Sequence, residues 1–257
     1  MNVTAASGLR IGCVPYLNAR PLVEGLNFPI KELVPAKLGE AFDAGEFDSA
    51  LLSSIDVIKS PFSCAVDGVS ISSLGDVHSV VLAYRGALRG IEKVTLDSSS
   101  HTSNALLKIV LEEFYCVFPK YVHSSDCESL DGARLIIGDP AISFRKQVAG
   151  SDVRFLDLGG AWHQFTGLPF VYAIWALRKE NTNKKEIAEL LRNAKILGLG
   201  QRSAIASKES DPEFALRYLT ESIRYDLGAD EKTAISLFGE FLLKYKITSN
   251  INEVFYY

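Results

Sequence analysis

Polar side chains able to bind or orient a small ligand recur in this chain where apolar runs stop. The first set follows the run IGCV: in PYLNARPL, Tyr16, Asn18 and Arg20 lie between two prolines. The Asn18 amide offers two donors and an acceptor, and it fits a helix N-cap equally well. The Arg20 guanidinium could clamp a carboxylate in bidentate fashion or simply meet solvent. The second set is DSSSHTSNALL, with Ser98, Ser99, Ser100, Thr102 and Ser103 ahead of an apolar periodic segment. Capping needs one hydroxyl, so the surplus points to an anion nest at a helix N-terminus. Ser53 and Ser54 end the run ALL, and Gly138 and Asp139 follow LII. Asp139 reads either as a helix cap or as an acid facing a cleft. Ser79 opens the run VVLAY and is a weak signal by itself.

These residues need a scaffold that gathers strand ends. Short apolar runs at 9–14, 30–34 and 48–52 alternate with helical spacing at Leu38, Ala41 and Phe42 and again in SSIDVI. That order predicts an α/β fold with mostly parallel sheets flanked by helices, and such sheets bind ligands at the carboxyl ends of their strands. Strands are expected at 69–72 and 79–84, joined by a turn at LGD, then at 93–97, 134–138, 153–156 and 170–177. Leu106, Leu107, Val110, Leu111 and Phe114 mark an amphipathic helix. Beyond residue 183 the chain reads as helical, with Asp211 and Pro212 as a cap and first-turn proline. With no Pro/Gly/Ser linker, two lobes must be joined by short crossings, expected around 83–90 and 175–179. The outer lobe would then hold 1–85 plus 178–257 and the inserted lobe 86–177, with the ligand cleft between them.

Composition limits the function classes. Of 257 residues, 47% are hydrophobic and 23% charged, as in ordinary globular proteins. A net charge of −4 argues against a nucleic-acid partner. No apolar run reaches membrane-spanning length, and MNVTAASGLR does not read as a signal peptide, so a cytoplasmic location is expected. Cys13, Cys64, Cys116 and Cys127 are scattered and read as buried reduced thiols. The four histidines show no metal-ligand spacing, so no metal site is expected. G-x-S-x-G, the P-loop pattern and G-x-G-x-x-G are all missing.

RIGCVPYLNARPL, GEFDSALLSSID, SVVL, LDSSSHTSNALLKIVLEE, LIIGDPAI and FTGLPFVYAIWA, in this order, resemble the menaquinone-biosynthesis family that includes chorismate dehydratase. The resemblance spans roughly residues 9 to 245 and is most specific at YLN, the S-x-T-S before the helix, and TGLPFVYAxW. It implies a two-lobed fold similar to type II periplasmic binding proteins. The implied activity is dehydration of chorismate, a small dicarboxylate, to 3-[(1-carboxyvinyl)oxy]benzoate at the head of the futalosine route to menaquinone, without metal or organic cofactor. On that resemblance Asn18 and Ser79 orient the reacting groups, and Ser53, Ser54, Thr102 and Ser103 hold carboxylates. Tyr16, Arg20, Ser100, Gly138 and Asp139 complete the expected binding set. Two departures stand out: ARP follows YLN where many members carry T-x-P, and Pro140 stands in GDPAI where a GDxAL-like segment is common. The rival expectations are a non-catalytic anion-binding protein of the same fold and an enzyme of the 1,4-dihydroxy-6-naphthoate synthase type.

Overall fold

The structure is a computed structural model that describes residues 8–27, 29–123 and 132–257. Each lobe is built on a five-stranded sheet. In the first, β1 (Ile11–Cys13) pairs in parallel with β2 (Ile30–Glu32) and with β3 (Ser49–Ser53). β10 (Phe170–Arg178) then runs antiparallel between β3 and β4 (Ser63–Ser73). The second sheet repeats this plan. β6 (Lys93–Leu96) lies parallel to β7 (Lys120–His123) and β8 (Ala133–Ile137), and β5 (Val80–Tyr84) runs antiparallel between β8 and β9 (Arg154–Asp157). In both sheets the antiparallel strand in fourth place has just arrived from the other sheet.

The sheet changes therefore fall between Ser73 and Val80 and between Asp157 and Phe170. Both precede the crossings expected around 83–90 and 175–179. The LGD segment is not a hairpin turn but the first crossing itself. In sequence β5 and β10 read as strands leading into the crossings; each instead follows its crossing and is a fully paired inner strand. Asp157 pins the two crossings together. Its carboxylate accepts from the N–H groups of Val77 (3.0 Å) and His78 (2.7 Å) on the first crossing and of Gly159 and Gly160 (3.1 Å each) on the second. Arg145 lies 3.8 Å from the same carboxylate, yet burial pushes the Asp157 pKa up, the desolvation cost of an ion outweighing the groups that hold it. Trp162 adds an apolar clamp, edge-on to Phe170 at 5.2 Å and to Phe238 at 6.2 Å.

Helices follow the strand carboxyl ends. A 3-10 turn (Leu17–Ala19) runs into α1 (Arg20–Val23) after β1, and α2 (Pro35–Asp43) follows β2. α3 (Ser54–Lys59) follows β3 directly, α4 (His101–Ile109) follows β6, and α5 (Gly138–Gln147) follows β8 directly. α6 (Leu158–Thr166) makes the return crossing. α7 (Lys184–Gly200), α8 (Arg202–Ala206), α9 (Pro212–Arg217) with a π-helical turn (Tyr218–Ser222), and α10 (Ala229–Lys244) pack over the first lobe's side of the molecule. β3 is buried along its whole length, as a parallel strand covered on both faces should be. Cys13 and Cys64 are buried thiols, whereas Cys116 is exposed at a left-handed position, φ 54°; Cys127 lies outside the described residues.

Candidate active site between the lobes

A cleft with about 530 Å³ of space, the solvent at its open mouth included, lies between the two sheets. The first lobe supplies Val14, Tyr16, Asn18, Leu51, Ser53, Ile71 and Tyr172; the second supplies Val80, Ser100, Thr102, Ser103, Ile137 and Gly138; Ser79 enters from the first crossing. Most of these residues sit at strand carboxyl ends or on the first turn of a following helix. Their polar atoms thus share the space with the positive ends of helix dipoles, which favour anions. None of the described residues lining the cavity carries a charge.

Asn18 is not a cap. The residue ahead of its 3-10 turn is Tyr16, that ahead of α1 is Ala19, and neither of these caps through its own side chain. The Asn18 Oδ1 is buried without a partner. In a half-buried residue that lines a cavity, an orphan acceptor is expensive to leave unmet. Ser79 is fully buried; its Oγ accepts from the Tyr218 hydroxyl at 2.8 Å, and its carbonyl accepts from Gly138 N at 2.7 Å.

Accounting for each hydroxyl proton separates donors from acceptors. Ser53 Oγ donates to Asp56 Oδ2 at 2.6 Å, so it can only accept from a ligand. Ser100 caps α4: its Oγ accepts from Ser103 N at 3.2 Å and donates to Ser103 Oγ at 2.9 Å. Ser103 keeps its own proton for the cavity. Thr102 Oγ1 accepts from Ile55 N at 3.0 Å and likewise keeps its proton. The second lobe and the crossing therefore hold the donors, Ser79, Thr102 and Ser103, and the first lobe holds the acceptors, Asn18 Oδ1 and Ser53 Oγ, so Ser53 is not the carboxylate donor expected of it.

Three expected residues are elsewhere. Arg20 forms an ion pair with Glu32 at 2.8 Å on the surface, since α1 turns its side chain back toward β2. Ser54 is fully buried and donates to the Val171 carbonyl at 2.5 Å, tying α3 to β10. Asp139 is neither the cap of its own helix nor a wall of the cavity. It reaches across the cleft to accept from Leu17 N, 3.2 Å from each carboxylate oxygen, and so caps the opposite lobe's 3-10 turn. Burial raises its pKa, the Leu17 N–H lowers it, Glu209 adds to the rise and Arg20 opposes it. Gly138 stands where expected, at φ 64°, with room for no side chain: a Cβ would lie 2.8 Å from two carbons of the Tyr16 ring.

Two tyrosines were not singled out in the sequence. Tyr172 lines the cavity with its hydroxyl 2.9 Å from Ser73 Oγ, and burial holds it far above an ordinary phenol. Its signal was the TGLPFVYAIW block that contains it. Tyr218 comes from the distant π-helical turn, and no motif marks it. Among the described residues no three His, Cys, Asp or Glu side chains gather as a metal would require, and no helix is long and apolar enough to cross a membrane.

Comparison with known proteins fits this site to a family. The pattern described as menaquinone biosynthesis matches residues 9–244. A chorismate dehydratase of Thermus thermophilus is 32% identical, with 90% of this chain and 94% of the relative aligned. A chorismate dehydratase of Campylobacter jejuni is 28% identical over 87% and 88%. Among solved structures, an Archaeoglobus fulgidus protein superposes with a TM-score of 0.68 at 16% identity, covering 93% of this chain and 98% of that one. The aliphatic sulphonate binding protein of Escherichia coli superposes with 0.64 at 16%, covering 94% of each. These last two share the fold alone, that of the periplasmic binding proteins. With the match running through nearly every strand and helix that lines the cavity, the chain belongs to the menaquinone-biosynthesis family.

Proposed function

We propose that this protein is a hydro-lyase that converts chorismate to 3-[(1-carboxyvinyl)oxy]benzoate and water. The carrying observation is the cavity's division of labour: an unpartnered amide oxygen on one wall, three hydroxyl donors and helix N-termini on the other, and no charged side chain between. Chorismate carries two carboxylates and one ring hydroxyl, so it needs several donors and one acceptor. The names of the two relatives support the same reading.

In the reaction the proton at C3 and the hydroxyl at C4 leave and the ring becomes aromatic. The proton lost from carbon ends on the departing hydroxide as water. The enolpyruvyl carboxylate lies near the C3 proton within the substrate and serves as its acceptor, so the protein need supply no strong base. Charge released at C3 spreads through the ring double bonds to the ring carboxylate. Thr102, Ser103 and the first turn of α4 stabilise it there, by fixed dipoles that need not reorganise. Asn18 Oδ1 accepts from the C4 hydroxyl and fixes its direction, and Ser79 donates to the same oxygen as it leaves. The reading places the enzyme in the cytoplasm at the first step of the futalosine route.

The test is to incubate the purified protein with chorismate and follow the aromatic enol ether by NMR. Asn18→Ala should lose at least ~100-fold in kcat, the scale of one lost electrostatic contact to a reacting group. A folded wild type without product removes the lyase reading, and thermal stabilisation by chorismate without product would install the anion-binding reading in its place. Turnover of cyclic dehypoxanthinyl futalosine instead would assign the naphthoate-synthase type of reaction.

A further inference from the structure

Tyr218 lies outside the cavity lining, yet its hydroxyl reaches Ser79, one of the two residues given the leading roles. Its side chain is fully buried at the start of the π-helical turn that ends α9, stacked on Phe214 with ring centroids 6.1 Å apart. Single-turn π segments recur near functional sites because they re-aim one side chain. Here the turn aims a phenol at the first crossing, 139 residues away in sequence.

The direction of the hydrogen bond matters. Tyr218 donates to Ser79 Oγ at 2.8 Å. Ser79, with one lone pair taken by Tyr218, is left with its proton to give elsewhere. Burial keeps Tyr218 protonated throughout the physiological range, against the pull of Ser79 and Asn18.

We infer that Tyr218 is a positioning residue, whose hydroxyl holds Ser79 as a donor toward the substrate's leaving hydroxyl. This rests on the chorismate reading above. Phenylalanine would fill the same space, so an oxygen kept in this setting has a use other than packing. Without it Ser79 loses its fixed orientation and can spend its proton inside the protein.

The experiment compares wild type, Y218F, S79A and the double variant in steady-state turnover of chorismate, with thermal unfolding as a check on folding. Y218F should lower kcat at least about 5-fold, the scale of a lost hydrogen bond, with KM within about 2-fold because the lining is unchanged. The double variant should be scarcely slower than S79A, since neighbours acting through one another are not additive. Wild-type kcat in Y218F, a loss confined to KM, or losses that multiply in the double variant each overturn the inference while leaving the lyase reading intact. Wild type without turnover removes both. If Y218F does not fold, 3-fluorotyrosine at position 218 keeps shape and hydroxyl but makes a stronger donor. It should change kcat with KM constant, and an unchanged kcat overturns the inference.

Discussion

Two seams close the cleft, and they are built differently. At one, α4 of the second lobe meets α2 and α3 of the first: Ile55 N donates to Thr102 Oγ1, Ala36 N donates to the Ser99 carbonyl at 3.0 Å, and His101 Nδ1 faces Asp56 Oδ1 at 3.2 Å. At the other, the start of α5 meets the 3-10 turn: Asp139 caps Leu17, and Gly138 lies against the face of Tyr16. The α4 seam is held by polar groups, one of which is a half-exposed titratable pair. The α5 seam has the Asp139 contact as its polar tie and is otherwise held by shape. The first can loosen with conditions, whereas the second tolerates no added atom.

The sharpest way to break this contrast is Gly138→Ala. The methyl would sit 2.8 Å from the Tyr16 ring at a backbone φ of 64°, so the seam must part to admit it. Misplacing Asn18 against Ser79 by about an ångström should lower kcat roughly 100-fold. Gly150→Ala is the control: it has φ 83° and nothing within 4 Å of the new carbon, so it carries the backbone cost without the collision. Both should lose about 1–2 kcal/mol of stability by urea denaturation, and only Gly138→Ala should lose turnover. Equal kcat in the two variants would mean the α5 seam does not set the site.

At the polar seam the comparable change is Thr102→Val, which keeps the volume and removes the acceptor of the buried Ile55 N–H. An orphaned buried donor costs about 1–3 kcal/mol, read from the urea midpoint. Since Thr102 also gives its proton to the cavity, kcat should fall about 10-fold, less than for Gly138→Ala. Unchanged stability would show that Ile55 N finds water there instead.

The sequence displayed the parts of this site that follow strands and hid the parts that depend on tertiary reach. Asn18, Ser100, Thr102, Ser103 and Gly138 are where strand carboxyl ends put them, because a parallel sheet leaves little choice, and Ser79 comes from the first crossing at the start of β5. Arg20, Ser54 and Asp139 are at strand ends too, but their side chains are taken by Glu32, the Val171 carbonyl and Leu17 N, partners fixed by packing rather than spacing. Tyr218 was illegible for the same reason. Among the elements, α6 escaped notice because Gly159 and Gly160 lower its helical signal. Both glycines are demanded by neighbours: a Cβ on either would collide, with the Tyr172 hydroxyl in one case and the Asp76 carboxylate in the other. The lobe boundaries were misplaced because an apolar run cannot say which sheet it joins.

The smallest effect expected is the pH response of the polar seam. Asp56 raises the His101 pKa above the usual 6.5 through their hydrogen bond, burial opposes this, the Asp56 charge adds to it, and Lys59 and Glu40 act weakly in opposite senses. A histidine whose folded pKa is raised stabilises the folded state fully below 6.5, and that contribution fades as pH climbs through the raised value. With His101 half exposed, solvent screening limits it to at most about 1 kcal/mol. Thermal unfolding of wild type and His101→Gln should therefore differ most in acid, near about pH 6, and converge by about pH 8.5. The Gly138→Ala defect should show no such convergence, because neither the glycine nor the ring it meets titrates there. Parallel pH curves for wild type and His101→Gln would remove the titratable pair from the seam and leave Thr102 and the Ser99 carbonyl to hold it alone.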